Sequence, residues 1–442
     1  MKTFQAFALI VITLVSINAQ SSDGDTLATS TGKTYKVSSL SPNGQKLYAE
    51  RQKFIAETRT ILFSAMMSEI LVDLETKTQN TTREKLLATA KAKAVEPTAA
   101  QIQAVYDANR QALAGRTLEE TRPQIVEFIK HDLEEKAVQA FVDTLRTKYK
   151  VVNGKNVNAF GLAPTDVLAT IGDRTITLRD FEAENRVRLN DIEIEVHDQL
   201  LSDLEASIFS TLIADEAKAR NIDTGALIAT EITDKLKEFT DEERAAVESD
   251  VMRRLFAKYN VKILLVEPTP LIQNVSVDDD PNWGNASAPA TVVMFTDFQC
   301  PACSKTHPIL SSVVTSYGDR VRFVVRDYPL ENLHKDSFQA ALAANAAAKQ
   351  GKFFEFIKLL YGRQDALDKA SLLKYAAELG LNVKQFELDF SDAKTAAEVR
   401  KDQADGRSYG VSGTPTIYVN GVKVHRLSLL GIRSAIDRAL KK

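Results

Sequence analysis

The chain holds two cysteines in 442 residues, and both fall in one tetrapeptide, Cys300-Pro301-Ala302-Cys303. With no third cysteine there is no disulfide framework to lean on, so an apolar core must hold the fold and the pair is left for chemistry. A tetrahedral zinc site needs four ligands, and only His307 lies near the pair in sequence. Two sulfurs would suit copper(I) better than zinc. Redox chemistry asks for nothing beyond the two thiols and is the favoured reading. The core is affordable: hydrophobic residues make up 44% of the chain and charged residues 26%, far from the composition of disordered chains. Only 18 Gly and 12 Pro supply turns, which points to long helices instead of a many-stranded sandwich. At roughly 150 residues per domain the length allows about three domains. A net charge of -3 excludes an electrostatic nucleic-acid footprint.

Met1 and Lys2 precede an apolar run from Phe7 to Val15, and Ile17-Asn18-Ala19 ends on a small residue. This is the pattern of a signal peptide over residues 1–19. The run is about half the roughly 20 apolar residues of a membrane span. The expectation is export, to a compartment such as the bacterial periplasm, with no membrane span in the mature chain.

Leu27–Leu40 reads LATSTGKTYKVSSL and Leu168–Phe181 reads LATIGDRTITLRDF, both with the period-2 alternation of a short strand or hairpin leading into a helix. Leu145–Val151, LRTKYKV, matches Leu255–Val261, LFAKYNV. The offset is 141 residues at the start and 110 at the end, so the second copy is 31 residues shorter. The units expected are 20–154 and 155–266. The extra hairpin of the first copy carries Thr98 and Gln101 in capping-box spacing, then Ile102, Val105, Tyr106 and Leu113 on one face. Ile125, Phe128, Ile129, Leu133, Ala137, Phe141 and Leu145 form a second stripe, and Leu200, Leu204, Ile208 and Leu212 a third. All three are expected to be bundle core. Residues 267–289, dense in Pro, Asp and Asn, read as a linker. An α/β region over 290–442 follows, with strands at Thr291–Phe295 and Val321–Val325 and a helical insertion at about 336–410. Asn420-Gly421 marks a hairpin, and a closing helix begins near Ser428.

A strand running straight into the cysteine pair and then a helix sets Cys300 at a helix N-terminus, where free N–H groups and the dipole stabilise a thiolate. Cys300 is therefore the expected nucleophile. Pro301 suits the first helical position, where its missing N–H costs nothing. Cys303, one turn on, is placed to attack a mixed disulfide and release the client. His307 reads as an ordinary helix residue, and His334 and His425 carry no local motif.

MFTDFQCPACSKTHP, the loop Gly413-Thr414-Pro415-Thr416 and the helical insertion between them closely resemble DsbA-like members of the thioredoxin superfamily. The resemblance implies a cis Pro415 facing the disulfide, a Thr414 backbone that pairs with a substrate strand, and Pro301 and Ala302 beside the bound substrate. It implies no cofactor and no metal. Two departures stand out: relatives commonly carry a buried acid where this chain has Met294, and the strongly oxidising ones carry His where it has Ala302. The N-terminal copies resemble the helical part of SurA-like and PrsA-like periplasmic chaperones, without any segment like the parvulin isomerase domain. The fold expected is thus a duplicated SurA-like helical region with short strands, followed by a thioredoxin-like α/β domain. The function implied is an exported thiol–disulfide oxidoreductase or isomerase acting on unfolded or disulfide-containing exported proteins, with a redox partner protein. The alternative is a chaperone whose thioredoxin-like domain is mainly a docking module. A homodimer is compatible with either.

Overall fold

Side-chain caps decide where many of the helices begin in the computed structural model, which describes residues 25–113 and 115–441. The expected signal segment, 1–19, lies outside the described residues. In chain order the strands and helices are β1 (Thr26–Ser30), β2 (Lys33–Lys36), α1 (Pro42–Gln79), α2 (Arg83–Lys91), α3 (Ala99–Ala108), α4 (Leu118–Lys148), β3 (Val151–Asn153), β4 (Val167–Ile171), β5 (Arg174–Thr177) and α5 (Leu178–Glu184). They continue with α6 (Arg186–Ala219), α7 (Thr224–Glu231), α8 (Asp241–Lys258), β6 (Lys262–Ile263), β7 (Asn282–Trp283), β8 (Ala290–Thr296), α9 (Pro301–Tyr317) and β9 (Val321–Asp327). The insertion is α10 (Ser337–Ala348), α11 (Phe353–Gly362), α12 (Lys369–Glu378), α13 (Val383–Phe390) and α14 (Ala393–Ser408); β10 (Thr416–Val419), β11 (Val422–Val424) and α15 (Leu429–Leu440) close the chain. Thr98 caps α3 by accepting from Gln101 N while Gln101 Oε1 accepts from Thr98 N at 2.8 Å, satisfying two otherwise orphaned donors.

The described residues divide into two compact units, Gln52–Leu189 and the rest. In the first, a sheet of order β3-β4-β5 and residues such as Met67, Leu71, Val142 and Ile171 form the core. Ile102, Ile125 and Ile129 make a separate cluster between α3 and the first half of α4. Phe128, expected on that buried stripe, is 58% exposed. Ile125 and Ile129 already cover the contact, and Phe128, one residue off their i, i+4 row, turns outward.

In the other unit, a sheet of order β2-β1-β6 packs with Leu200, Leu204, Ile208 and Leu212, all buried as the stripe suggested. The two sheets share one device. Glu75 accepts from Lys148 Nζ and from Tyr149 Oη at 2.7 Å; Glu216 accepts from Lys258 Nζ at 2.6 Å and from Tyr259 Oη at 2.9 Å. Glu75 and Glu216 are 141 residues apart and the Lys-Tyr pairs 110, the offsets seen in the sequence. Neither sheet is made within one sequence copy: β1 pairs with β6, and β3 pairs with β4. The compact units therefore divide near residues 51 and 189, not at 154/155, because each copy's closing strand finds its hydrogen-bond partners on the other copy's hairpin.

The C-terminal sheet has the order β11-β10-β8-β9-β7, with β8 and β9 parallel and the other pairs antiparallel. Alternation along β8 sends Val292 and Met294 to one face, with α9, α10, α11 and α15, and Val293 and Phe295 to the other. Asn420 and Gly421 take positive φ, 46° and 78°, in the turn between β10 and β11. The stretch read as a linker is instead part of this structure from about Ile272. Ile272 bridges Val422, β7 pairs with β9, and Val275 and Val277 pack under Phe295 and Tyr418. Its acids have a reason to be there: fully buried Arg326 pairs with Asp280 at 3.0 Å, Asp402 and, at 2.8 Å, Asp405. Replacing Arg326 by Met would leave buried carboxylates uncompensated and should cost about 3–5 kcal/mol, read as a shift of the urea midpoint.

Candidate active site

Local sequence builds the site. β8 ends at Thr296, the chain turns over Asp297–Gln299, and α9 starts at Pro301 with Cys300 as its N-cap. Asp297 fixes the turn with every acceptor it has: its carbonyl takes Cys300 N at 3.1 Å, Oδ1 takes Gln299 N at 2.7 Å, and Oδ2 takes Leu330 N and faces His334 Nδ1, both at 2.8 Å. Gln364 Nε2, at the end of α11, donates to the carbonyls of Phe298 and Cys300 at 3.0 and 2.9 Å.

Both cysteines are free thiols, Cys300 7% exposed and Cys303 fully buried. Cys300 Sγ lies 3.4 Å from the Thr414 carbonyl oxygen, to which it donates as a thiol. The Thr414–Pro415 peptide is cis, and β10 begins one residue later. The structure thus brings Cys300, Cys303, Pro301, Ala302, Thr414 and Pro415 together. The hydrogen bond from the Cys303 thiol holds the Cys300 pKa down to about 5, against burial, with help from the backbone N–H groups of Cys303 and Ala302 and from the Thr414 side chain. The Thr414 hydroxyl is buried and has no partner elsewhere. Burial pushes the Cys303 thiol far up, and its neighbour Cys300 pushes it further. The two sulfurs are therefore unlike: a nucleophile at neutral pH and a thiol that keeps its proton.

His307 sits in the interior with its ring 5.1 Å from that of Tyr361, and burial lowers its pKa to about 4, so it is neutral. Among the described residues no group of His, Cys, Asp and Glu is arranged to hold a metal ion. Five residues around the pair carried no sequence signal of their own. Thr296 and Tyr361 meet at 2.6 Å, Asp297 and His334 hold the turn, and Gln364 holds the carbonyls. They are up to 66 residues from their partners, and only folding collects them.

Residues 276–438 match the family described as Thioredoxin. They form a thioredoxin-like domain. The chain is 37% identical over 153 residues to the Na(+)/H(+) antiporter NhaA 1 of Mycobacterium sp. (strain KMS), a match covering 34% of this chain and 25% of that protein. It is 39% identical over 155 residues to NhaA 3 of Salinispora tropica, covering 35% and 24%. The chain thus spans about a quarter of the length of these curated relatives. Among solved structures it is similar to a thioredoxin-like oxidoreductase from Silicibacter pomeroyi DSS-3, with 30% identity, TM-score 0.36 and coverage of 38% of this chain and 99% of that one. BdbD from Bacillus subtilis is similar at 25% identity, with TM-score 0.36 and coverage of 39% and 99%. The matched residues take in Asp278 and Asp280, of which Asp280 is buried against Arg326. Among the described residues no helix is long and apolar enough to cross a membrane.

Proposed function

We propose that this protein is an exported thiol–disulfide oxidoreductase that exchanges disulfides with other exported proteins through Cys300 and Cys303. The observation that carries the reading is the placement of the pair: Cys300 at the N-cap of α9 beside the cis Thr414–Pro415 peptide, and Cys303 fully buried one turn on. This geometry favours a low pKa at Cys300 and a raised one at Cys303. Cys300 would attack a client disulfide, and Cys303 would then displace the client; the reverse sequence would oxidise a client dithiol. Pro301, Ala302 and the edge at Thr414–Pro415 would line the bound client strand. Placement in the bacterial periplasm rests on the N-terminal sequence pattern, and a redox partner would reset the pair. Catalysed disulfide exchange between glutathione and an unfolded protein tests the reading; a rate no greater than that of glutathione alone would remove it.

The helical region would hold unfolded clients, as its SurA-like pattern implies. Phe54, Ile61 and Phe128 stand 43%, 65% and 58% exposed within one compact unit, an apolar supply that folding leaves unused. A client touching both regions gains through effective concentration. Phe128→Ser should therefore slow exchange with an unfolded protein and leave exchange with glutathione unchanged.

Ala302 offers no donor to the Cys300 thiolate. Ala302→His should stabilise the reduced pair and raise its reduction potential, by about 30 mV for each tenfold change in the exchange constant. Equilibration with glutathione measures this.

A further inference from the structure

The cysteine pair occupies one end of α9, and the other end of that helix borders a cavity of about 520 Å³. Tyr317, the last residue of α9, lines it together with Ser249 and Arg253 of α8 and Arg433, Asp437 and Arg438 of α15. All of these residues lie in one compact unit. At about 1.5 Å per residue the 17 residues of α9 set the cavity about 25 Å from Cys300, so it is no part of the redox site.

Cations dominate the lining. Arg253, Arg433, Arg438 and Lys441 stand against one carboxylate, Asp437, and its Oδ1 already accepts from Tyr317 Oη at 2.7 Å. Arg253 pairs with Asp250, and Arg438 with Glu267 at 3.0 Å. Both acids lie outside the lining, and both pairs are exposed to solvent, where an ion pair holds its side chains weakly. Arg433 and Lys441 differ: among the described residues neither makes an ion pair, and the buried Nε of Arg433 has no hydrogen-bond partner. A guanidinium left uncompensated with a buried donor unmet is a cost that a bound anion would offset.

The lining also narrows the kind of anion. Guanidinium forks match the oxygens of a phosphate, and two unpaired cations balance a dianion where a single carboxylate would leave one uncovered. The hydroxyls of Ser249 and Ser434 face the same space and add uncharged donors. An apolar ligand would desolvate these charges without pairing them.

We propose that this cavity binds a dianionic phosphate group, carried by a small phosphate ester or by a lipid headgroup. The binding is non-covalent and does not depend on the redox reading of the cysteine pair.

The test is titration calorimetry of the full-length protein with pyrophosphate at low ionic strength, where one saturable site per chain is expected. Arg433→Gln should weaken binding by at least about 10-fold, and Lys441→Gln should act in the same direction, because each removes a charged hydrogen bond. Lys77→Gln, at an exposed position in the other compact unit, should leave binding unchanged. Citrate, a small multiply charged anion built from carboxylates, should bind more weakly. Vesicles containing phosphatidic acid separate the two sources: co-sedimentation that pyrophosphate reverses assigns the headgroup, and calorimetric binding without co-sedimentation assigns a free ester. No saturable binding, citrate bound as tightly as pyrophosphate, or a loss with Lys77→Gln equal to that with Lys441→Gln overturns the proposal. If Arg433→Gln does not fold by circular dichroism, Lys441→Gln decides alone.

Discussion

Cys303→Ser should accumulate mixed disulfides between Cys300 and its clients, whereas Cys300→Ser should form none and lose exchange altogether. Cys300 is the sulfur at the N-cap of α9, where the Cys303 thiol, the backbone N–H groups of Cys303 and Ala302 and the Thr414 side chain favour its thiolate. Cys303 is buried and protonated, so it can reach only a disulfide already made on Cys300. Loss of the nucleophile removes the covalent step, a loss of more than about 1000-fold. Loss of the resolving thiol leaves the first step intact and makes release intermolecular. Non-reducing gels and intact mass read both outcomes, and adducts with Cys300→Ser alone would reverse the roles.

The second large effect is on pH. Alkylation of the reduced protein by iodoacetamide should follow a thiolate with its midpoint at about 5, where an ordinary thiol titrates near 9. Because the folded value is depressed, the Cys300 thiolate contributes stability that is fully present above the unfolded value and is lost as pH falls through about 5. Across that window the reduced protein should gain up to about 1.4 kcal/mol per pH unit from this group. Cys303→Ala removes the largest lowering influence and should move the midpoint up by more than about one pH unit. A midpoint that stays near 9 in the wild type would remove the basis for the nucleophile.

What was legible in the sequence was what local chemistry decides. The strand into Cys300-Pro301-Ala302-Cys303, the Thr98–Gln101 capping box, the Asn420-Gly421 turn and the stripe from Leu200 to Leu212 each depend on residues within a few positions of one another. The errors arose where distant segments meet. Asp278 and Asp280 looked like linker residues because Arg326, which they pair with, lies more than 40 positions on. A fragment starting at Pro289 would lack β7 and these acids, and one starting near Ile272 would keep them. The exchange of closing strands between the two sequence copies was likewise hidden, since a strand of two or three residues can pair with any free edge of matching hand. Around the site, Thr296 and Tyr361 are ordinary core residues until the sheet and α11 bring their hydroxyls to 2.6 Å.

The central claim, that Cys300 and Cys303 form a reversible redox couple, is tested by equilibrating the full-length protein in glutathione buffers of graded poise, then alkylating the free thiols and weighing the intact chain. The account requires one two-electron transition: chains carry two alkyl groups on the reducing side and none on the oxidising side, with no singly alkylated form persisting between. Two alkyl groups at every poise, or thiols that become reactive only after a chelator strips a metal, would contradict it.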